Sequence, residues 1–435
     1  MIAQVVFGLV SKGVKMKNEQ IIDFLNSYDY DIRKSRNARW IDQKCTCDVL
    51  SIIADCILEY TNYDKTIQFS INDIWQSEYA NENVTAIFSK PSTDSTRAKN
   101  EYDKFFSQPI NLFAYGQVLK YIGKKGNKNF FVINNIELLE FIAMRDMNAL
   151  LFLQLYIEKV LLDSGIYDKF QHFLEIQTKD SFKKLKDSFI NFTIEHTPIN
   201  QSVECGRIFT KILNPLAFKM HKKGTMKGHL SKTIITLDEL KYNRINWRDE
   251  YSGKDKNITR KEYEKMDFIA QKYTQYTIQK AKKIVRRYND KFNNSLPEVI
   301  QNGENVNATQ IHHIFPASEF PNIADFVENL IALTPNQHFS YAHPNNQTSY
   351  IDRDFQYICL LAKTNTIMND LTQTYNFNNY KFVLNEGLNT QDFETIFDFA
   401  TLIATIDYFY SDFKTTNYQN LVEHNKPKNL CKKKG

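Results

Sequence analysis

Residues 311–344 constrain the fold of this chain more tightly than any other stretch of its sequence. They read IHHIFPASEFPNIADFVENLIALTPNQHFSYAHP, with a polar, acidic and proline-containing middle between two short apolar runs. The runs at 308–315 and 328–334 are β-prone and of strand length, and Pro335 suits the first turn of a helix. The order therefore predicts a strand, a loop, a second strand and a helix.

The same 34 residues contain four of the nine histidines of the chain. A single histidine is usually an ordinary surface or core residue. A cluster instead indicates metal-assisted chemistry, because imidazole is both a common metal ligand and a general base near neutral pH. Neighbours on a strand face opposite sides, so one of His312 and His313 can face a metal and the other a substrate. His338 and His343 are five residues apart and share a helix face only imperfectly, whereas a spacing of four would make a better pair.

Length and composition predict a soluble, globular chain of two or three domains. It has 435 residues, 42% of them hydrophobic and 24% charged. No run of about 18 apolar residues is present, so we expect no membrane-spanning segment. The six cysteines form no CxxC pair, which favours free thiols in a reducing cytoplasm over a structural zinc ribbon. The opening residues lack the features of a secretion signal, and Met16 is an alternative start to Met1.

Positive charge is concentrated in one segment. Residues 219–291 hold 20 Lys and Arg against 9 Asp and Glu, a net of +11. Because the whole chain has a net charge of +5, the remainder sums to −6. Such a segment suits a polyanion partner, since contacts to phosphates release counterions and dominate affinity. A solvated helix face with incidental charge is the alternative explanation.

The N-terminal part, residues 16–205, reads as a helical region with one hairpin. Apolar periodicity predicts helices at 19–27, in a stretch that starts near Thr46, at 69–80, over 95–119 with an interruption near Pro109, and as long amphipathic helices over 135–195. Around Gly123 to Asn129, β-rich runs flank a basic Gly/Asn tip, which predicts a hairpin. Helices followed by a basic hairpin are the elements of a winged helix, and equally those of a plain α+β core.

Residues 206–295 read as a basic connector that contacts DNA. The Gly- and Lys-rich stretch 206–240 predicts a loop or hairpin able to approach phosphates. Residues 258–292 predict a long helix, with Thr259 and Glu262 as a capping box. Its C-terminal half carries the residues that we expect to bind DNA, namely Lys282, Lys283, Arg286 and Arg287. The break at 293–298 predicts a domain boundary, and 296–435 then forms the C-terminal domain, which ends in helices.

The motifs HHIFP, ENLIAL and PNQH resemble, in order and spacing, those of the HNH or ββα-metal nuclease superfamily. LTPNQH in particular resembles the bacterial colicin DNases. The resemblance implies that His312 and His338 bind a metal and that His313 is the general base. It implies that Asn329 hydrogen-bonds across the loop and orients that base. His343 would be a third ligand, although the extra residue between it and His338 departs from the colicin pattern.

The implied reaction is phosphodiester hydrolysis with one divalent metal ion per active site. Such an ion can hold the scissile phosphate and neutralise the leaving oxygen. A neutral, uncoordinated His313 is suited to take a proton from the attacking water. Mg²⁺ or Mn²⁺ would serve, and imidazole ligands would favour Mn²⁺, Zn²⁺ or Ni²⁺ in affinity.

Together with the stretches QKCTCDVLSIIADCI and CGRIFTKILNPLA, the layout of the chain is similar to that of type II restriction endonucleases of the HNH group. The fold class expected is α+β and mostly helical, with a recognition region, a basic helical connector and a C-terminal nuclease domain. The partner implied is double-stranded DNA, bound by a monomer or a homodimer. A companion DNA methyltransferase would be a genetic rather than a physical partner. Two alternatives remain open: a non-specific or mobile-element HNH nuclease, and a DNA-binding regulator with a degenerate nuclease fold.

Overall fold

The structure is a computed structural model that describes residues 18–88, 98–242, 260–301, 306–343, 351–372, 374–412 and 419–426. The chain is α+β and mostly helical, which confirms the expected class. Its contacts form two compact units, residues 16–273 and residues 274–435. This division falls within the long helix, ahead of the break at 293–298 where the sequence indicates a boundary.

Among the residues that the structure describes, the first unit has eleven α-helices ahead of the long helix, one short 3₁₀ helix (Asp238–Leu240) and two small antiparallel sheets. In chain order the helices are α1 (Asn18–Asn26), α2 (Ile32–Ser35), α3 (Cys47–Thr61), α4 (Ile71–Trp75), α5 (Glu78–Phe88), α6 (Ala98–Tyr115), α7 (Ile136–Met144), α8 (Asp146–Asp163), α9 (Tyr167–Ile176), α10 (Lys179–His196) and α11 (Ser202–Lys219). The strands are β1 (Phe69–Ser70), β2 (Leu119–Lys125), β3 (Lys128–Ile133), β4 (Lys223–Met226) and β5 (His229–Ile234). The predicted helix at 19–27 and the hairpin around Gly123 are confirmed.

Helix α3 is the centre of this unit. The sequence suggests one apolar face, yet the helix is buried along nearly its whole length, with its two aspartates included. Those carboxylates are satisfied by hydrogen bonds: Asp48 accepts from the backbone N–H of Tyr242 at 2.9 Å, and Asp55 accepts from the Tyr79 hydroxyl at 2.6 Å. Buried acidic groups require such partners, because an unsatisfied one is costly.

Two predictions for this unit are wrong. The helix over 98–115 is not interrupted at Pro109. A proline inside a helix costs about 3 kcal/mol, but each buried Leu, Ile or Phe side chain contributes about 1.5–3 kcal/mol. Five such side chains of α6 are fully buried, so packing outweighs the loss (Phe105, Phe106, Ile110, Leu112 and Phe113). The second wrong prediction is the loop or hairpin over the whole of 206–240. Residues 206–219 are helical, and the hairpin is confined to β4 and β5.

The sheets of this unit are small. β3 lies between β1 and β2 in a three-stranded sheet, and β4 pairs with β5 alone. β4–β5 is anchored to α11 by Asn214, which donates to the Thr225 carbonyl and accepts from the Thr225 amide.

The second unit begins in the long helix α12 (Arg260–Phe292), whose bounds agree with the predicted helix. Thr259, its predicted cap, lies outside the described residues. The unit continues with the hairpin strands β6 (Gln310–His313) and β7 (Leu330–Leu333), which confirm the two predicted strands. After a π-helix (Gln337–Ala342) come α13 (Arg353–Asn369), α14 (Phe377–Leu388), α15 (Phe399–Phe409) and α16 (Gln419–Asn425).

The core of the second unit lies around β7. All four residues of this strand are buried, and Leu330, Ile331 and Leu333 belong to one apolar cluster with residues of α12, α13, α14 and α15. On the edge of β7 that faces away from β6, Glu298 exchanges backbone and side-chain hydrogen bonds with Ala332. Lys363 of α13 is fully buried against the Glu298 carboxylate, at 2.6 Å. β7 is therefore hydrogen-bonded to β6 on one edge and to Glu298 on the other.

No described helix is long and apolar enough to cross a lipid bilayer. The five described cysteines are buried free thiols (Cys45, Cys47, Cys56, Cys205 and Cys359).

Candidate metal centre

Three imidazoles meet where β6 contacts the π-helix. His312, His338 and His343 each offer a ring nitrogen, and these nitrogens lie within 4.8 Å of one another. The ring centroids are 5.1 Å apart for His312 and His338, 4.8 Å for His312 and His343, and 5.0 Å for His338 and His343. We call these residues the three-imidazole group.

The helix that carries His338 and His343 is wound differently from the sequence expectation. A spacing of five misaligns two side chains on an α-helix, but residues 337–342 form a π-helix, which bonds from i to i+5. The wider turn absorbs the extra residue, so that His343 lies beside His338. The structure therefore includes His343 in the group, and the misalignment expected from its spacing does not occur.

Residues 335–336 are already helical ahead of the π-helix, and local hydrogen bonds cap this first turn. The Thr334 hydroxyl accepts from the Gln337 amide at 3.1 Å, and the Gln337 side-chain oxygen accepts from the Thr334 amide at 3.2 Å. Gln337 also donates to the Val299 carbonyl. This reciprocal pair is a capping box. Its sequence signature is Thr-x-x-Gln in TPNQ, a signal that the prediction from Pro335 alone overlooks.

The three-imidazole group fits a metal ion on two observations. First, Nε2 of His312 and Nδ1 of His338 are buried and have no hydrogen-bond partner among the described residues. Buried polar atoms are normally satisfied, so these two point to a ligand. Second, burial and the neighbouring imidazoles lower the pKa of His312 well below its ordinary value and also lower that of His338. The rings of His312 and His338 are therefore neutral at pH 7, the form that binds metal.

The donor set indicates which ions suit the group. Three imidazole nitrogen donors favour Mn²⁺, Ni²⁺ or Zn²⁺ over Mg²⁺, which prefers oxygen. Three protein ligands also leave coordination positions free for a substrate or water.

His313 faces away from this group, as alternation along β6 predicts. It is half-buried, and its Nε2 lies 3.0 Å from the carbonyl oxygen of Ala324. A carbonyl only accepts, so Nε2 carries the hydrogen and Nδ1 carries the lone pair. Burial, reinforced by the positive charge of Lys282, lowers the pKa of His313 to about 4. His313 is thus a neutral imidazole with one free acceptor nitrogen.

Asn329 spans the loop between the strands and is fully buried. Its side chain accepts from the Phe315 amide at 2.8 Å and donates to the carbonyls of Phe315 and Ile323 at 3.0 and 3.2 Å. Ile323 directly precedes Ala324, whose carbonyl holds His313. Asn329 therefore reaches His313 through the loop backbone, and no direct hydrogen bond between these two described residues is present.

The four basic residues expected to bind DNA have different surroundings on α12. Lys283 and Arg287 are exposed. The guanidinium of Arg286 instead donates to the carbonyl of Thr309 at 2.6 Å and contacts that of Ala308 at 3.5 Å, just before β6. Lys282 is half-buried, and its charge lowers the pKa of His312, His313 and His338. Of the four, Lys283 and Arg287 thus lie on an open face of the helix.

Comparison with known proteins identifies no relative of this chain. No family model matches it, and neither a curated protein nor a solved structure does. The three-imidazole group and His313 are therefore the features from which its function is inferred.

Proposed function

We propose that the chain is a metal-dependent endonuclease that hydrolyses phosphodiester bonds of double-stranded DNA. One observation carries the proposal: the three-imidazole group lies on a strand–loop–strand–helix unit, and the residue next to one of its members is a separate, neutral histidine. A purely structural metal site would need the three-imidazole group but not the additional imidazole of His313. The order of elements also resembles the ββα-metal unit of HNH nucleases.

The chemistry divides between the two sides of β6. A divalent ion held by His312, His338 and His343 would supply positive charge for the scissile phosphate and the departing oxygen. Nδ1 of His313 accepts the proton of the attacking water, and general bases of this kind contribute roughly 10²–10⁴-fold to rate. The Ala324 carbonyl keeps the ring in the tautomer that this step requires. Asn329 maintains the loop that presents this carbonyl.

The remainder of the chain supports a sequence-specific enzyme of the type II restriction class as the finer proposal. A compact nuclease would not need residues 16–205, which we assign to DNA recognition, with the β2–β3 hairpin as a candidate wing. We assign the exposed basic face of α12 to backbone contact. The proposal includes a cytoplasmic location, a DNA methyltransferase as genetic partner, and binding to DNA as a monomer or homodimer.

Digestion of phage DNA of known sequence tests both the nuclease proposal and the finer proposal of a restriction enzyme. The chain is incubated with Mg²⁺, Mn²⁺, Ni²⁺ or Zn²⁺ in turn, and the ends of the products are sequenced. A discrete ladder with a shared sequence near every end supports the restriction enzyme, and a smear supports a non-specific nuclease. Absence of cleavage with every ion would contradict the nuclease and favour a DNA-binding regulator. Recognition and cleavage by separate regions would also permit cuts at an offset from the recognised sequence, and ends that fall inside that sequence would reject such an offset.

A further inference from the structure

Lys282 lies on the face of α12 that meets the hairpin. Its neighbours Ala281 and Val285 belong to the core of the second unit. Arg286, one turn further on, shares a helix face with Lys282 and binds the backbone at 308–309, where β6 begins. The Lys282 side chain is therefore held beside β6, and it is not on the open face of the helix.

The Lys282 side chain is half-buried, so its ammonium is partly desolvated. Among the described residues it has no carboxylate or hydrogen-bond partner, and burial lowers its pKa. The charge of Lys282 acts on His312, His313 and His338, so its ammonium lies near all three imidazoles. A partly desolvated cation without a partner is unfavourable, and neutral imidazoles do not compensate it. Its surroundings therefore suit an anion that arrives from outside the chain.

We propose that Lys282 binds the phosphate group on which the three-imidazole group acts, so that it is a catalytic residue and not a general DNA-backbone contact. This inference rests on the proposed function, since it names a further contact to the same substrate. The ligand class is a phosphate ester anion. A fixed ammonium at this position would stabilise the negative charge that grows on the phosphate during hydrolysis.

The test compares Lys282→Met with Lys426→Met. Met keeps the apolar stem and removes the charge. Lys426 is an exposed lysine of the same unit, paired with Asp407 at 2.8 Å and outside the basic segment. The first readout is the unfolding temperature of the metal-free full-length chain with and without inorganic phosphate, at constant ionic strength. We expect phosphate to raise the unfolding temperature of the wild type and of Lys426→Met but not that of Lys282→Met, because a ligand that binds the folded state stabilises the folded state.

The second readout is DNA cleavage. Lys282→Met should lower kcat by on the order of 10²-fold, as for loss of one charge-stabilising donor, and Lys282→Arg should restore part of it. Mn²⁺ binding by each variant verifies that the site is folded. Equal phosphate effects in wild type and Lys282→Met, or no phosphate effect in the wild type, would overturn the proposal. A Lys282-dependent phosphate effect in a chain that cuts no DNA would instead overturn the nuclease and leave the anion site standing.

Discussion

His338 and His343 are five residues apart in sequence, yet their ring centroids are only 5.0 Å apart, because the backbone between them is a π-helix. An α-helix would rotate one ring away from His312. The local winding thus determines whether the group has two imidazoles or three, and a third ligand changes how tightly an ion is held.

The first prediction concerns His343. His343→Asn should weaken Mn²⁺ binding at least about 10-fold, the lower range for disturbing a metal site, and to a similar extent as His338→Asn. Isothermal titration of the purified chain with Mn²⁺ measures this. His229→Asn, an exposed histidine of the other unit, is the matched control and should bind like the wild type. Wild-type affinity in His343→Asn would mean a two-histidine site.

The second prediction separates catalysis from metal binding at His313. His313→Ala should slow DNA cleavage at least about 10²-fold, the low end for loss of a general base. DNA affinity and Mn²⁺ affinity should stay near wild type, because His313 faces away from the three-imidazole group. Single-turnover cleavage at saturating protein gives the rate. A rate equal to that of the wild type would refute the proposed role.

The third prediction concerns Asn329. Asn329→Asp keeps the acceptor for the Phe315 amide but loses both donations, to Phe315 and Ile323. It places a carboxylate oxygen against two carbonyl oxygens in a buried loop. Leaving buried acceptors unsatisfied costs about 1–3 kcal/mol each, so urea unfolding should show a loss of this order. Cleavage should also slow, since the Ala324 carbonyl is no longer held in place.

Asn322→Asp is the control for that substitution, because Asn322 lies in the same loop and donates only a 3.4 Å exposed hydrogen bond to Glu386. It should unfold and cleave nearly as the wild type does. If both variants lose stability equally, added negative charge and not the loop hydrogen bonds would be the cause.

The fourth prediction follows from the pKa of His313. In the folded, metal-free chain this pKa is lowered to about 4, whereas an unfolded histidine titrates near 6.5. Between these values the unfolded state binds more protons, so acidification favours unfolding. The contribution of His313 to stability is present above pH 6.5 and is lost as the pH falls towards 4. Urea unfolding with EDTA at several pH values should show that the free energy of unfolding falls less steeply with decreasing pH in His313→Asn than in the wild type. Equal slopes in the two proteins would contradict the lowered pKa of His313.

The fifth prediction divides the basic residues of α12. Changing Lys283 and Arg287 to Gln should weaken binding to all DNA sequences and reduce the salt dependence of log K by about 0.9 for each phosphate that is no longer neutralised. Arg286→Gln should instead cost about 1–2 kcal/mol of stability, because it removes hydrogen bonds to the start of β6. Fluorescence anisotropy across salt concentrations and urea unfolding distinguish the two. An unchanged salt dependence would mean that this face of α12 is exposed to solvent but does not contact DNA.

Patterns within short stretches of sequence are enough to predict the local features of this site. Short apolar, β-prone runs specify β6 and β7, and alternation along β6 places His312 and His313 on opposite sides. The Thr334–Gln337 capping box is likewise encoded within four residues, which fixes where the next helix begins. Such features depend on neighbours along the chain, so pattern is sufficient to predict them.

Which of these residues lie together depends instead on how distant segments of the chain pack. Four features of the site depend on packing between segments. Two are the π-helix that aligns His343 with His338 and the hydrogen bond from Arg286 to the backbone of Thr309. The others are the path from Asn329 through the loop backbone to His313 and the position of Lys282 beside the histidines. The same holds for α3, which has one apolar face in the sequence and is buried on every side in the fold. Burial and distance between remote segments arise from packing of the whole unit, and no local pattern carries that information.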